Sequence, residues 1–195
     1  MQKLESFFWG VVAAGGAVVF QFIFFLAATN FIAPEAKLSF DQFYVLPIVV
    51  LLFAFLEEFF KYLMLAKRII KISTKHDFLI NALLIGLGFF TLELAIILTN
   101  SGNLEIQKIL EIAILHLGTT ILMGYFILTM KKSSPLYSVT YPLLLATGLH
   151  FSFNWLVLQT SPVFNSLAIL ILSLLLFLAF KILTAPNNLL AQDKE

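Results

Sequence analysis

The sequence predicts an all-α membrane protein: a bundle of about six transmembrane helices with a polar intramembrane site. The 195 residues are 61% hydrophobic and 12% charged, with a mean hydropathy of +0.99, well outside the range of soluble globular domains. Six apolar stretches are each long enough to cross a bilayer core of about 30 Å. Within them stand a few ionisable side chains, each costing on the order of 3 kcal/mol in a bilayer, which marks them as functional candidates.

The first three predicted spans cover residues 7–32, 43–66 and 78–98. The first span is too long for the apolar region of a signal peptide, so we expect the mature protein to retain it. The second contains Pro47 close to its start, where a missing N–H does least harm to a helix. The third is an apolar run interrupted by Glu93.

The last three predicted spans cover residues 109–130, 139–158 and 163–183. The fourth carries His116, and the fifth and sixth have Pro142 and Pro162 close to their predicted starts. The connections are short and no internal repeat is present. The six spans therefore form a single polytopic domain, residues 1–195.

The basic residues predict how the chain is oriented. Most of them fall on one side of a six-span chain, whereas the opposite connections hold only Lys37 and Lys108. The positive-inside rule places both termini in the cytoplasm, and we expect the plasma membrane as the location. Since the basic residues flank spans and form no continuous face, the lipid bilayer is an expected partner and nucleic acid is not. The residues on the cytoplasmic side are Lys3, Lys67, Arg68, Lys71, Lys75, Lys131, Lys132, Lys181 and Lys194.

Polar side chains at comparable depth mark the candidate site. At 1.5 Å per helical residue they lie roughly 12 to 22 Å from the cytoplasmic ends of their spans, so four spans present polar groups in one band. Cysteine is absent, which excludes disulfides, thiolate metal sites and a cysteine nucleophile. The predicted catalytic residues are Glu57, Glu58, Glu93, His116, His150 and Asn154, with Lys61 and Thr120 supporting them.

Helical spacing predicts how these groups pair. Lys61 follows Glu57 by four residues and Glu58 by three, so its ammonium can neutralise either carboxylate. The other carboxyl is then available as a general base or acid. His150 and Asn154, four residues apart, can donate hydrogen bonds to a developing oxyanion. The structural alternatives are a Glu–Lys pair between helices and ordinary interhelical hydrogen bonds.

His116 and Glu93 leave two chemistries open. Either side chain could orient a water molecule, and Thr120 follows His116 by four residues. His116, His150 and a glutamate such as Glu93 would also provide the nitrogen and oxygen ligands of a catalytic zinc, which needs three protein ligands and an open position. A zinc-dependent mechanism and a metal-independent glutamate mechanism are therefore both compatible with the sequence, and histidines that only pack remain the structural alternative.

The order of these motifs resembles the PrsW family of intramembrane proteases, which is similar to the CAAX-prenyl endopeptidase and bacteriocin-processing group, the CPBP proteins. The resemblance covers the second to the fifth span. Glu93 stands where the wider group has a histidine, which favours PrsW, and Leu94 stands where PrsW sequences commonly have asparagine. The motifs that carry the resemblance are Glu57-Glu58-Phe-Phe-Lys61, Phe89-x-x-x-Glu93, His116-x-x-x-Thr120 and His150-x-x-x-Asn154.

The resemblance implies an intramembrane endopeptidase that hydrolyses a peptide bond of a membrane-anchored protein, by family analogy one like an anti-sigma factor. Glu57 would activate the water, and His150 and Asn154 would hold the oxyanion. Glu58 and Lys61 would tune this base. Glu93 and His116 would position the water or, in a metallopeptidase, ligate a metal.

Two functions of other classes compete with this one. The polar groups could line the cavity of a non-catalytic scaffold or chaperone that binds partner helices, or build the relay of a small proton-coupled transporter. The paired broken helices of many transporters are missing from the sequence. The predicted spans also lack aspartate, His-Glu-x-x-His and Gly-x-Ser-x-Gly, which other intramembrane proteases use. A protease with this sequence would therefore need a glutamate-centred or metal-assisted site.

Overall fold

The computed structural model describes residues 2–32, 39–69, 74–101, 104–130, 135–159 and 161–185, which are helical apart from short turns. Five of the basic residues used for the predicted orientation lie outside these ranges: Lys37, Lys71, Lys131, Lys132 and Lys194. The helices in chain order are α1 (Gln2–Ala27), continued by a π-helical turn (Ala28–Ile32), α2 (Phe40–Tyr44), α3 (Pro47–Ile69), α4 (Lys75–Ser101), α5 (Ile106–Thr129), α6 (Pro135–Val157) and α7 (Pro162–Thr184).

Two predicted helix starts are corrected by the structure. The second predicted span began at residue 43, but α3 begins at Pro47, because proline disfavours a helical conformation in the residue before it. The preceding residues form the separate helix α2, whose Ser39 cap accepts from the Gln42 amide at 3.3 Å. Pro142, which we predicted close to a helix start, lies inside α6, and Pro135 takes the first helical position instead.

Helices α1 and α4 pack closely through glycines. A Cβ on Gly10 would lie 2.1 Å from the carbonyl oxygen of Ile85, and one on Gly88 would lie 2.0 Å from that of Phe7. Such small residues let two helix backbones approach one another, as in membrane helix pairs. The same face of α1 buries Ala13, Ala14 and Ala17.

Five helices contact one another in a closed series around a shared interior. In this series α1 contacts α4, α4 contacts α5, α5 contacts α6, α6 contacts α3 and α3 returns to α1. Helix α7 packs outside the series against α5 and α6, where Leu172 and Leu175 are buried. Each helix of the series can therefore direct one face at a common space.

Within the described ranges, four helical segments are long and apolar enough to cross a membrane: Lys3–Asn30, His76–Asn100, Ile106–Thr129 and Pro162–Thr184. Many large apolar side chains on the outer faces of α1 and α7 are exposed, including Ile23 and Phe180, as expected for helices that face lipid. Helices α3 and α6 are also 23 residues long, about 34 Å at 1.5 Å per residue. These two carry most of the predicted polar site residues, which lower their mean hydropathy.

Candidate active site

Polar side chains from all five helices of the closed series meet inside the bundle. The cluster lies between two groups of apolar residues. On one side, Leu65, Ile85 and Ala146 belong to one buried group. Leu65 and Ala146 stand one helical turn from the polar-site residues of α3 and α6, and Ile85 stands two turns from that of α4. On the other side, Phe53, one turn before Glu57, packs with Phe43 of α2. The polar groups are thereby enclosed along the helix axes.

Glu58 is the centre of the cluster. Its Oε1 accepts from Lys61 Nζ at 2.7 Å, from Thr119 Oγ1 at 3.2 Å and from His150 Nδ1 at 2.6 Å. The side chains of Glu58 and Lys61 are both 0% exposed. Since a buried charge is tolerated only when it is paired and hydrogen-bonded, this carboxylate, Lys61 and the ring of His150 form one unit that joins α3, α5 and α6.

Lys61 also determines which nitrogen of His116 carries a hydrogen. Lys61 Nζ lies 2.8 Å from His116 Nδ1 and 4.5 Å from the centroid of the Phe89 ring. An ammonium has donors and no acceptor, so His116 Nδ1 accepts and the neutral ring carries its hydrogen on Nε2. His116 Nε2 contacts Oε2 of Glu93 as an ion-pair contact, without the geometry of a hydrogen bond. Lys61, His116 and Glu93 thus form a series of polar contacts that joins α3, α5 and α4.

Glu57 occupies the more accessible side of the cluster. Its Oε1 accepts from Gln21 Nε2 of α1 at 2.9 Å, and its Oε2 lies 3.5 Å from His150 Nε2. Within the described part of the chain, that Oε2 has no hydrogen-bond partner. The side chain of Glu57 is 12% exposed and that of Glu93 is 30% exposed. Tyr44 of α2 lies within electrostatic range of both carboxylates.

Two residues of the cluster were not predicted from the sequence. Gln21 is an isolated polar residue in the apolar run of α1, and the same cost of burying a polar group that singled out the glutamates could have identified it. Thr119 directly precedes the predicted Thr120. It follows His116 by three residues, a spacing that also lies on one helical face, and its hydroxyl is the one that reaches Glu58.

Two predicted residues do not bond to the cluster. Thr120 Oγ1 donates to the backbone oxygen of His116 at 2.6 Å, within its own helix. It lies where α4 crosses α5, 3.1 Å from the position of a Cβ on Gly86. Asn154 is half-buried one turn beyond His150, and among the described residues its side chain has no recorded hydrogen bond to the glutamates or histidines. Thr120 therefore supports the helix crossing, and Asn154 borders the cluster.

The donor set fits a catalytic zinc only in part. Glu57, His116 and His150 each offer an atom within 4.8 Å of the others, so Glu57 takes the place that we predicted for Glu93. His150 Nδ1 donates to Glu58, which leaves a lone pair on Nε2, as a metal-bound histidine requires. His116 does not fit, because Lys61 donates to its Nδ1 and the neutral ring then carries its hydrogen on Nε2. Two ligands remain where a catalytic zinc takes three.

The arrangement combines a carboxylate with an unbonded oxygen, an imidazole facing that oxygen, and a buried ion pair behind both. A carboxylate can accept a proton from water, and an imidazolium can donate to an oxyanion. The position of each group follows from the helix that carries it and from bonds to other helices. When the chain is compared with protein-family models, with curated proteins and with solved structures, nothing matches it.

Proposed function

We propose that the protein is an intramembrane endopeptidase that hydrolyses a peptide bond of a membrane-associated protein with water activated by Glu57. The observation that carries this proposal is the environment of Glu57. One of its oxygens accepts from Gln21, and the other faces His150 Nε2 at 3.5 Å without a hydrogen-bond partner among the described residues. These two atoms are too close to hold a water between them, but a water that contacts both from one side would meet a proton acceptor and a positioning group together.

In this mechanism Glu57 takes a proton from the water while the water oxygen bonds to the scissile carbonyl carbon. The carbonyl oxygen becomes an oxyanion, and His150 in its imidazolium form donates Nε2–H to it. Asn154, one turn along the same face of α6, would supply a second donor. When the carbon–nitrogen bond breaks, Glu57 returns the proton to the leaving amine nitrogen, which balances the hydrolysis.

The residues behind Glu57 hold its partners in place. Glu58 accepts from His150 Nδ1 and so fixes the ring with Nε2 toward Glu57. Lys61 balances the charge of Glu58 and orients His116 toward Glu93. Glu93, the most exposed of the three carboxylates, would receive the substrate backbone at the mouth of the site. No step uses a metal, since His116 does not supply the third ligand.

We further propose that all six long helices span the membrane, with the polar cluster at bilayer depth and both termini in the cytoplasm. Arg68 at the end of α3 donates to Ser6 of α1 at 3.0 Å, and Ser6 donates to Asn81 of α4 at 2.5 Å. The start of α1, the end of α3 and the start of α4 thus share one face of the bundle. That face carries Lys67 and Arg68, which favours the cytoplasmic side of a plasma membrane.

Reconstitution with a membrane-anchored substrate tests the proposal. Purified protein in proteoliposomes should cleave such a polypeptide, and Glu57→Gln should lower kcat by roughly 100- to 10,000-fold, the usual contribution of a general base. Glu105→Gln, which removes a carboxylate at the exposed N-cap of α5, should leave cleavage unchanged. Full activity of Glu57→Gln would overturn the assignment of the base.

The same vesicles distinguish the competing functions. A scaffold or chaperone would bind the substrate without product, and its binding would be unaffected by Glu57→Gln and His150→Ala. A proton-coupled transporter would show substrate-dependent proton flux without proteolysis. Either result, obtained with folded protein, would replace the peptidase proposal.

A further inference from the structure

A second polar cavity lies at the opposite end of the bundle from Arg68, where α5 begins, α6 ends and α7 begins. Its volume is about 200 Å³, and its polar lining residues are Gln107, Lys108, Glu111 and Asn165. Phe153 of α6, 4% exposed, forms part of its apolar wall. Glu111 stands five residues into α5, roughly 7.5 Å along the helix axis, which is the depth of lipid headgroups if α5 crosses the membrane.

Glu111 has an unusual environment for a membrane carboxylate. The residue is 9% exposed, and its Oε1 accepts from Gln107 Nε2 at 2.8 Å. Its Oε2 is buried without a hydrogen bond among the described residues. Lys108 Nζ lies 3.4 Å from that oxygen, longer than the 2.7 to 2.9 Å typical of a charge-assisted hydrogen bond. A buried carboxylate oxygen in this state favours a further donor.

An apolar groove continues from the cavity along the outer surface of the bundle. The groove runs between α5 and α7 and shares Gln107, Glu111 and Ile169 with the polar cavity. Its walls include the apolar side chains Leu110, Ile114, Leu172 and Leu176. A polar pocket that opens into an apolar groove of this kind fits an amphipathic molecule with its head in the pocket and its chain along the helices.

We propose that this cavity binds the headgroup of a zwitterionic aminophospholipid, with the ammonium on Glu111 Oε2 and the phosphate on Lys108. The two protein charges cancel, so a headgroup that carries one charge of each sign complements them, whereas an anionic headgroup would leave Glu111 unpaired. A primary ammonium offers three N–H donors, which Glu111 and the amide oxygens of Gln107 and Asn165 can accept. A choline headgroup has no such donor and is recognised by aromatic cages, while Phe153 is the one aromatic residue among the described residues that line this cavity.

Binding to three lipids with identical acyl chains tests this site without reference to peptidase activity. Delipidated full-length protein is titrated with phosphatidylethanolamine, phosphatidylcholine and phosphatidylglycerol, and bound lipid is counted by native mass spectrometry. We expect phosphatidylethanolamine to bind roughly tenfold more tightly than phosphatidylcholine, the ratio expected from a hydrogen bond to a charged group. Equal affinities for these two, or preference for phosphatidylglycerol, would overturn the proposal.

Single substitutions test whether the lipid preference depends on this cavity. Glu111→Gln should abolish the preference for ethanolamine over choline, and Lys108→Met should weaken both lipids by removing the phosphate contact. Glu105→Gln, a carboxylate at the same end of α5 without a side-chain capping bond, should preserve the preference. A Glu111→Gln protein that folds and keeps the preference would refute the site, and the wild-type comparison remains decisive if that variant does not fold.

Discussion

Lys61 Nζ and His116 Nδ1 lie 2.8 Å apart between helices α3 and α5, with the side chain of Lys61 0% exposed. An ammonium on one ring nitrogen leaves the other nitrogen of a neutral imidazole as a donor. The contact therefore has two effects: it joins two helices, and it leaves the hydrogen of His116 on Nε2, the nitrogen that contacts Glu93.

Removal of Lys61 should destabilise the bundle strongly. Lys61→Met keeps the length of the side chain but leaves the buried carboxylate of Glu58 without its counter-charge, and breaking such a pair costs about 3–5 kcal/mol. Lys181→Met, on the exposed last turn of α7, is the matched control and should change little. Thermal unfolding in detergent measures both variants, and equal midpoints would show that Glu58 has no need of Lys61.

Proteolysis should be insensitive to chelators. Because the contact with Lys61 leaves the hydrogen of His116 on Nε2, only Glu57 and His150 remain as metal ligands, one fewer than a catalytic zinc takes. Incubation with phenanthroline or EDTA followed by the cleavage assay should leave kcat unchanged. Activity that is lost to chelators and restored by Zn²⁺ would show instead that the His116 hydrogen is displaced by metal.

Gln21 should act as a positioning residue for Glu57. Gln21→Leu removes the donor to Glu57 Oε1, and a hydrogen bond to a charged group is worth about 1.5–3 kcal/mol, so kcat should fall by roughly 10- to 100-fold while KM changes little. Gln159→Leu is a suitable comparison, since that amide lies just after α6 and donates to the backbone oxygen of Trp155. A loss confined to KM would place Gln21 in substrate binding.

The α1–α4 contact should tolerate no added methyl group. A Cβ on Gly88 would lie 2.0 Å from the oxygen of Phe7, so Gly88→Ala must separate the helices, and overpacking of this kind costs about 1–3 kcal/mol. At Gly148 of α6, by contrast, a Cβ would meet nothing within 4 Å. Gly148→Ala should therefore be neutral or stabilising by up to about 1 kcal/mol from helix propensity. Unfolding midpoints that fall equally for both variants would contradict the contact.

The spacing of polar residues along single helices made much of the site predictable. Glu58 and Lys61, three residues apart, pair as helical geometry requires, and the cost of exposing polar groups to lipid explains why Glu57, His116 and His150 share one interior. Hydrogen bonds between helices were harder to predict from the sequence. Thr119 and not Thr120 donates to Glu58, and Glu57 and not Glu93 lies close to both histidines. Both outcomes depend on how α5 is rotated against α3 and α4, which no local pattern specifies.

Helix boundaries were predicted well where a proline begins a helix and poorly where context decides. Pro162 begins α7 as expected, but Pro142 is accommodated within α6. The residues before Pro47 are apolar and predict part of a span. Their capping box and the conformational restriction imposed by proline produce the separate helix α2.

The side-chain exposures of the three carboxylates fall from 30% at Glu93 through 12% at Glu57 to 0% at Glu58. Among the described residues, the side of Glu93 is therefore the more open approach to Glu57. The peptide groups of a membrane helix keep their hydrogen bonds within the helix, so a substrate has to unwind locally before its carbonyl carbon is open to attack. For a peptidase of this construction, susceptible sequences are those in which glycine or proline makes unwinding inexpensive, whereas a uniformly leucine-rich anchor would pass uncut.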